Sequence, residues 1–223
     1  MPLMNLGDDF PNFSVDTTEG RITFHDFLGN HWGVLFSHPG DYTPVCTTEL
    51  AEVANLIPEF TKRDVKVIAL SCDTVTAHKG WITDIKSYAC YARSGWPYPL
   101  IADPNRDIAI QLGMLDPTAK DKSGIPVTCR AVFIIGPDKK LKLALLYPAT
   151  TGRNFSEILR VIDSLQLTAC KQVATPANWQ PGGKCMVLPS ISEADASELF
   201  PKGTELIKMP SGKHYMRYTP HPD

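Results

Sequence analysis

Short apolar segments alternate with helical patterns through the middle of the chain, and this alternation limits the possible folds most strongly. Residues 32–37, 65–71, 98–102 and 130–136 are short, apolar and bounded by turn residues, which is typical of buried strands. Apolar residues at helical spacing predict helices at the following positions: 45–60, 76–88, 105–112 and 154–167. Strands that alternate with helices predict an α/β fold built as layers.

The last part of the chain differs from this pattern. Residues 136–148 are a turn followed by an apolar segment, so they are expected to pair with 130–136 as a hairpin and to make the sheet mixed. Residues 170–223 hold seven prolines and no long periodic segment, which argues against further layers of the same kind. We therefore predict a domain over residues 1–168 and a small C-terminal appendage over 169–223 that contacts this domain or a partner subunit.

Charge and hydropathy exclude several classes of protein. The 223 residues carry 22 basic and 24 acidic side chains, for a net charge of −2, whereas a general nucleic-acid binder needs a basic face. No apolar segment reaches the roughly 18 residues that a bilayer span requires. The first residues, MPLMNLGDDFPNF, lack both a basic leader and an apolar core. These features favour a cytoplasmic protein.

Six cysteines are scattered along the chain, at positions 46, 72, 90, 129, 170 and 185. Secreted disulfide scaffolds are usually shorter and richer in cysteine. No two of these cysteines form a CxxC pair, and no spacing of Cys and His suits a metal site, so we predict no metal. Most of the six are expected to be small buried residues.

Cys46 has an unusual local context, HPGDYTPVCTTEL at 38–50. Thr43 is a good N-cap and Pro44 suits the first position of a helix, which puts Cys46 at the third position. The unpaired N–H groups and the positive end of the helix dipole favour an anion there, so the sequence predicts a reactive thiolate after a strand. The alternative, a small core residue in a capped helix, is more common for cysteines in general.

The segment PGDYTPVC fits the P-x-x-x-T-x-x-C signature of the peroxiredoxins, and further segments resemble the 1-Cys class of that family. These segments are GRITFHDFLG, LGMLDP, GPDKKLKLALLYPATTGRNFSEILRVIDSLQLT and FPKGTELIKMPSGKHYMRYTP. The resemblance covers nearly the whole chain. It implies a thioredoxin-like fold, with a central mixed sheet flanked by helices and a small C-terminal appendage, and it implies a homodimer.

The resemblance also implies roles for particular residues. Four positions match catalytic residues of the family: the peroxidatic cysteine, the threonine that holds the peroxide, the proline that shields the pocket and the arginine that stabilises the thiolate, here Cys46, Thr43, Pro39 and Arg130. Backbone N–H groups, a hydroxyl and a fixed guanidinium suit the charge that develops as an O–O bond breaks.

Two further residues match supporting positions in the subfamily. Glu49 is expected to orient Arg130, and His38 is expected to lie beside the site. From the residues alone, Arg130 would more often be an ordinary ion pair at a strand end. His38 alone is as well explained as a loop histidine with satisfied hydrogen bonds.

A second reactive cysteine is not expected at the position where two-cysteine relatives carry one. Thr175, in TPANWQPG, occupies the place of the resolving cysteine. The resemblance therefore implies an external thiol as reductant, glutathione delivered with a glutathione transferase, and no other cofactor. Whether Cys72, Cys90, Cys170 or Cys185 can form a disulfide with Cys46 stays open.

The same subfamily is associated with a phospholipase A2 activity that depends on a serine, a histidine and an aspartate. The matching segment here is GNHWG, in which His31 stands in place of the serine, while His25 and Asp138 match the other two members. Because the nucleophilic hydroxyl is missing, we expect serine-type lipase activity to be absent or very weak. Contact with membrane phospholipid remains an expectation of the resemblance.

The sequence thus predicts a thiol peroxidase that reduces hydrogen peroxide and organic or phospholipid hydroperoxides through a Cys46 sulfenic acid. Two alternatives belong to other classes: a redox-sensing or holdase protein, and a lipid-binding protein. A sensor is oxidised once, whereas an enzyme consumes many equivalents of peroxide when reductant is supplied.

Overall fold

The structure, a computed structural model, describes residues 4–222 and divides into two compact units, one that ends at Phe155 and one that begins at Ser156. The elements of the first unit, in chain order, are β1 (Ser14–Thr17), β2 (Gly20–Thr23), α1 (Phe24–Leu28), β3 (Trp32–Ser37), α2 (Pro44–Lys62), β4 (Val65–Ser71), α3 (Val75–Tyr88), β5 (Leu100–Ala102), α4 (Asp107–Gln111), β6 (Leu115–Lys120), β7 (Pro126–Thr128), β8 (Arg130–Ile135) and β9 (Leu141–Tyr147).

A seven-stranded mixed sheet organises the first unit, with strand order β2-β1-β5-β4-β3-β8-β9. Strand β4 lies between β3 and β5 and is parallel to both, whereas β8 is antiparallel to β3. The predicted hairpin is confirmed, because β9 pairs with β8 in antiparallel register. The predicted α/β fold with a central mixed sheet is also confirmed.

The strands at the centre of this sheet are buried along almost their whole length. Every residue of β8 and all but the first residue of β3 are buried, which matches the continuous apolar sequence from which they were predicted. Strand β9 lies at the sheet edge, and its burial alternates with exposure. The sequence prediction therefore succeeded best where both faces of a strand are covered.

The helix that follows β3 places Cys46. Helix α2 begins at Pro44 and buries an apolar stripe that includes Leu50, Val53 and Phe60. Because β3 and β4 are parallel, the connection between them passes over the carboxyl end of β3 before it enters α2. The turn at the start of α2 is therefore fixed to this edge of the sheet.

The elements of the second unit, in chain order, are α5 (Phe155–Cys170), β10 (Val173–Ala174), β11 (Cys185–Val187), α6 (Glu193–Leu199), β12 (Glu205–Leu206) and β13 (Arg217–Thr219). The first residue of α5, Phe155, is the last residue of the first unit. Its strands form a four-stranded sheet in the order β10-β11-β13-β12. Trp179, Val187 and Phe200 belong to its small apolar core. The domain boundary predicted at residue 168 stays a prediction; the compact units divide earlier, at the start of α5.

No helix within residues 4–222 combines the length and the apolarity that crossing a bilayer would require.

Candidate active site

Cys46 lies in the first turn of α2, next to the carboxyl end of β3. It is the third residue of the helix, as predicted, and its side chain is fully buried. At this position the sulfur lies near backbone N–H groups that have no partner within the helix, and near the positive end of the helix dipole. The local electrostatic field therefore favours negative charge on the sulfur.

Thr43 occupies the N-cap position, yet its side chain makes no capping bond. Its hydroxyl instead donates to the carbonyl of Gly40, over 2.9 Å. The hydroxyl oxygen keeps its lone pairs for another partner, and the N–H groups at the start of α2 are not used by the cap. Thr43 is the N-cap residue, as predicted, but its side chain forms a hydrogen bond with the loop and none with the helix.

Arg130 reaches Cys46 because of strand register. Phe36 of β3 is paired with Val132 of β8. Since the two strands are antiparallel, the start of β8 lies beside the end of β3. Arg130 is the first residue of β8, and its Nη1 donates to the Cys46 sulfur over 3.3 Å. Arg130 and Cys46 are 84 residues apart in the sequence, and the pairing of β3 with β8 brings them together.

The guanidinium of Arg130 is held by two further acceptors. Its Nη1 also donates to Glu49 Oε2 over 2.7 Å, and its Nε donates to the carbonyl of Ala149 over 3.0 Å. Arg130 and Glu49 are each 3% exposed at the side chain, so water does not compete for these bonds. The expectation that Glu49 orients Arg130 agrees with this geometry.

A second buried arginine, Arg153, was not identified from the sequence. Its Nη2 donates to Glu49 Oε2 over 2.7 Å, its Nε and backbone N–H donate to Glu49 Oε1, and its Nη1 donates to the carbonyl of Ala131. Arg153 lies in the loop between β9 and α5, where no periodic pattern marks it. The one available signal was Glu49 itself, a carboxylate within an apolar helix stripe that requires cationic partners.

The two arginines and one glutamate leave a net positive charge beside Cys46. Burial alone would raise the pKa of Glu49, but hydrogen bonds and charge from Arg153, with a smaller contribution from Arg130, lower it below its ordinary value. Glu49 is therefore ionised at neutral pH. One unit of positive charge remains, and the Cys46 thiolate can balance it.

His38 and Pro39 occupy the loop between β3 and α2. The ring of His38 is fully buried, and its Nε2 lies 2.9 Å from Asp41 Oδ1. Burial lowers the pKa of His38. The hydrogen bond and the charge of Asp41 act in the opposite direction, but they offset only part of this decrease. The backbone of His38 is fixed as well, since its carbonyl accepts from Thr128 Oγ1.

A cleft of about 740 Å³ opens beside this loop. Pro39 and Thr43 form part of its wall, together with polar side chains that include Arg106 and Lys120. The cleft is large enough for a small peroxide and for part of a larger thiol.

Three buried carboxylate and imidazole groups could be considered as metal ligands. The ligand atoms of His38, Asp41 and His78 lie within 4.8 Å of one another. His38 and His78 are, however, each hydrogen-bonded to Asp41, and these two bonds account for the proximity of the three groups without an ion.

All six cysteines, which lie within residues 4–222, are free. Burial raises the pKa of Cys72 to about 11, and burial also raises the pKa of Cys129 and of Cys185. Such thiols are poor nucleophiles at neutral pH. Cys90 and Cys170 are exposed. Among the described residues, Cys46 is the cysteine whose sulfur receives a hydrogen bond from a guanidinium.

The residues that match the lipase positions each have another partner. His25 Nε2 lies 2.7 Å from the carbonyl of Phe10, Asp138 pairs with Lys142, and His31 Nδ1 pairs with Asp64. Within residues 4–222, no hydrogen bond joins the carboxylate of Asp138 to the imidazole of His25. Nothing in this arrangement supplies the missing nucleophile.

We expect the purified protein to release no significant free fatty acid from phosphatidylcholine liposomes at acidic pH, because position 31 has no hydroxyl. The measurement is fatty-acid release over time, with Cys46→Ser as the control that removes peroxidase chemistry. Robust release that persists in Cys46→Ser would contradict the expectation.

Known proteins resemble this chain in sequence and in fold. Residues 6–144 match the AhpC/TSA family, and residues 164–203 match the C-terminal domain of 1-Cys peroxiredoxin. The chain belongs to the 1-Cys peroxiredoxins. As such it is a thiol peroxidase, an oxidoreductase, as the sequence predicted.

Individual peroxiredoxins are similar along almost the whole chain. Peroxiredoxin-6 of Gallus gallus is 59% identical, with 100% of each chain covered. The solved structure of a Cys→Ser mutant of peroxiredoxin 6 of Arenicola marina has a TM-score of 0.96 at 62% identity and covers 98% of this chain and 99% of that one. A yeast mitochondrial 1-Cys peroxiredoxin has a TM-score of 0.85 at 43% identity, covering 98% and 100%. The predicted thioredoxin-like peroxiredoxin fold is confirmed.

Proposed function

We propose that this peroxiredoxin reduces hydrogen peroxide and organic hydroperoxides, phospholipid hydroperoxides among them, through Cys46. The observation that carries the assignment of the site is the 3.3 Å contact between Arg130 Nη1 and the buried Cys46 sulfur, made by a guanidinium that Glu49 holds in place. A fixed cation at this distance stabilises both the thiolate and the charge that develops during attack.

In the first step the Cys46 thiolate attacks the terminal oxygen of the peroxide. The S–O bond forms as the O–O bond breaks, so that sulfur is oxidised by two electrons and the peroxide is reduced. The departing oxygen leaves as an alkoxide or hydroxide and takes up a proton. Arg130 and the N–H groups of the first turn of α2 would stabilise the charge on the reacting oxygens. The Thr43 hydroxyl, whose proton goes to the Gly40 carbonyl, would accept a hydrogen bond from the peroxide O–H, and Pro39 would limit access of water.

In the second step an external thiol reduces the sulfenic acid. One thiol displaces water to form a mixed disulfide with Cys46, and a second thiol releases the Cys46 thiol and leaves as the oxidised disulfide. Thr175 supports this 1-Cys cycle, because it has a hydroxyl where two-cysteine relatives carry the resolving sulfur. That hydroxyl lies 2.6 Å from the hydroxyl of Ser164. We propose glutathione as the reductant; the yeast relative is described as resolved via glutathione and thioredoxin systems.

Further features of the proposed function concern partners. A glutathione transferase would deliver the thiol, and a homodimer would form in the cytoplasm. Strand β9 supports self-association, since it is the edge of the seven-stranded sheet and exposes Leu146. Contact with membrane phospholipid would bring the enzyme to oxidised lipid.

Cys46→Ser is expected to abolish peroxide consumption without unfolding the chain, because serine is nearly the same size as cysteine. The measurement is hydrogen peroxide consumed over many turnovers with thiol supplied. Cys90→Ser, at an exposed cysteine, is the matched control and should retain wild-type turnover. Retained activity in Cys46→Ser would contradict the assignment.

The same preparation separates the one-cysteine cycle from its alternatives. After one equivalent of hydrogen peroxide, mass spectrometry with a sulfenic-acid trap should find the label at Cys46. A disulfide from Cys46 to Cys72, Cys90, Cys170 or Cys185 would make the enzyme a two-cysteine peroxidase, and a single oxidation without turnover would indicate a sensor.

A further inference from the structure

A chain of three buried side chains lies behind the active-site loop. Asp41 Oδ1 lies 2.9 Å from His38 Nε2, and Asp41 Oδ2 lies 2.7 Å from His78 Nδ1. The other ring nitrogen of His78, Nε2, lies 3.1 Å from the carbonyl of Ile101. The two imidazoles are fully buried and the Asp41 side chain is 1% exposed, so water cannot supply missing partners.

The hydrogen bonds of His78 determine where its protons are. The carbonyl of Ile101 only accepts, so Nε2 must carry a proton to bond with it. An ionised Asp41 carboxylate also only accepts, so Nδ1 must carry a proton as well. A neutral imidazole has one N–H and would leave a lone pair facing an oxygen at one of these two contacts. Only an imidazolium at His78 would donate at both contacts.

The protonation states of Asp41 and His38 follow from their own contacts. Burial alone would raise the pKa of Asp41, but hydrogen bonds from His38 and His78 lower it, so the carboxylate is ionised. His38 has one acceptor, at Nε2, and its Nδ1 has no hydrogen-bond partner within residues 4–222. His38 is then the neutral Nε2–H tautomer. The imidazolium of His78 and the carboxylate of Asp41 cancel in charge, as a buried pair requires.

Asp41 connects this pair to the residues around Cys46. It lies between Pro39 and Thr43 in the loop, and its backbone N–H donates to Asp73 Oδ2 over 2.9 Å. The next residue, Tyr42, has a left-handed backbone with φ of 55°, a conformation that a non-glycine residue adopts only when its neighbours hold it. The anchors of Asp41 hold this strained loop.

Helix α3 supplies a rigid platform for His78. The helix is capped at Thr74, whose side chain accepts from the N–H of Ala77, and His78 lies one turn later. The ring of His38 also packs near Trp81 of α3, with the ring centres 5.2 Å apart. These contacts from α3 add to those made from the β7–β8 segment, where the Cys129 carbonyl accepts from Ser37 Oγ and Thr128 Oγ1 donates to the His38 carbonyl.

We propose that His78 is a positioning residue for peroxide attack: as a buried imidazolium it holds the Asp41 carboxylate and thereby the loop that carries Pro39 and Thr43 to Cys46. This inference rests on the peroxidase function proposed above. His78 contacts no reacting atom, and its effect is exerted through Asp41.

The first test measures the protons directly and does not depend on activity. Long-range ¹H–¹⁵N correlation spectra of the histidine side chains, recorded at pH 7 on the reduced protein, should show both nitrogens of His78 protonated and His38 as the Nε2–H tautomer. His78→Gln and His38→Gln assign the signals. An unprotonated nitrogen on His78, or displacement of its protons by a stoichiometrically bound metal ion, would overturn the proposal.

The second test measures the rate of Cys46 oxidation by stopped flow with hydrogen peroxide. His78→Phe removes both bonds and should slow attack by about ten- to a hundredfold, the size of effect that small misplacement of a catalytic group produces. His78→Gln keeps one donor for Asp41 and should recover part of this loss. His214→Gln, at an exposed histidine of the second unit, is the matched control and should react at the wild-type rate.

These outcomes separate the positioning role from the peroxidase assignment. A folded His78→Phe variant that reacts at the wild-type rate would overturn the positioning role while leaving Cys46 as the reactive residue. If His78→Phe does not fold, the positioning role is tested by the spectra of the wild-type protein and by the oxidation rate of His78→Gln, and a wild-type rate in His78→Gln together with an unprotonated His78 nitrogen would overturn it. Retained activity of Cys46→Ser would instead overturn the proposed function, and the spectra would still report the state of His78.

Discussion

Replacing Arg130 with alanine is expected to slow the reaction of Cys46 with hydrogen peroxide by about a hundred- to a thousandfold, the range seen when a preorganised donor is removed from a reacting oxygen. The reason is geometric and electrostatic. Arg130 is the cation that contacts the buried sulfur, and Glu49 and the Ala149 carbonyl fix its plane. Stopped-flow measurement of the second-order rate tests this directly.

Two further variants make the Arg130 result interpretable. Arg130→Lys keeps the charge without the planar fork, so it should recover part of the rate but not all of it. Arg21→Ala removes an arginine whose side chain is 67% exposed and should leave the rate unchanged. A wild-type rate in Arg130→Ala would show that the reactive pocket lies elsewhere.

Replacing Glu49 with glutamine is expected to lower the free energy of unfolding by about 3–5 kcal/mol at pH 7, the usual result of removing one partner from a buried ionic network. The variant leaves two guanidiniums, Arg130 and Arg153, without a shared carboxylate in a region closed to water. Equilibrium urea unfolding measures the change. Glu52→Gln, an exposed position in the same helix, should unfold as the wild type does.

The effect of Glu49→Gln should depend on pH in a defined direction. The pKa of Glu49 is lowered in the folded protein, so its contribution to stability is fully present above the pKa of an unfolded glutamate. The contribution is lost as the pH falls through the folded-state pKa. The difference between wild type and Glu49→Gln should therefore be largest near neutral pH and should shrink on acidification. A difference that stays constant from pH 7 to pH 3 would contradict this account.

The central strands and the reactive helix could be predicted because their signals are local. Strands β3, β4 and β8 are buried on both faces, so their sequences are continuously apolar, and Pro44 marks the start of α2 in the sequence itself. Strands β10 to β13 have two or three residues each, which is too short for alternation to be recognised. The C-terminal sheet could not be predicted for this reason.

The candidate site divides in the same way. Cys46 and Thr43 share one short segment, so their combination was visible in the sequence. The roles of Arg153 and His78 depend on contacts across 104 and 37 residues, to Glu49 and Asp41 respectively, that only the folded sheet creates. A polar residue that is buried by distant partners leaves no periodic pattern around itself.

The sharing of one carboxylate between two guanidiniums affects how this chain can change over generations. Loss of Glu49 leaves two buried guanidiniums without their carboxylate, at a cost of about 3–5 kcal/mol, which is a large part of the about 5–15 kcal/mol of stability that folded proteins possess. Loss of Arg130 or Arg153 removes hydrogen bonds that the buried Glu49 carboxylate needs. Concerted replacement of all three by well-packed apolar residues could preserve folding, yet each intermediate along a stepwise path would be selected against. The three residues should consequently be inherited as a unit, and a redesign of this pocket has to alter them together.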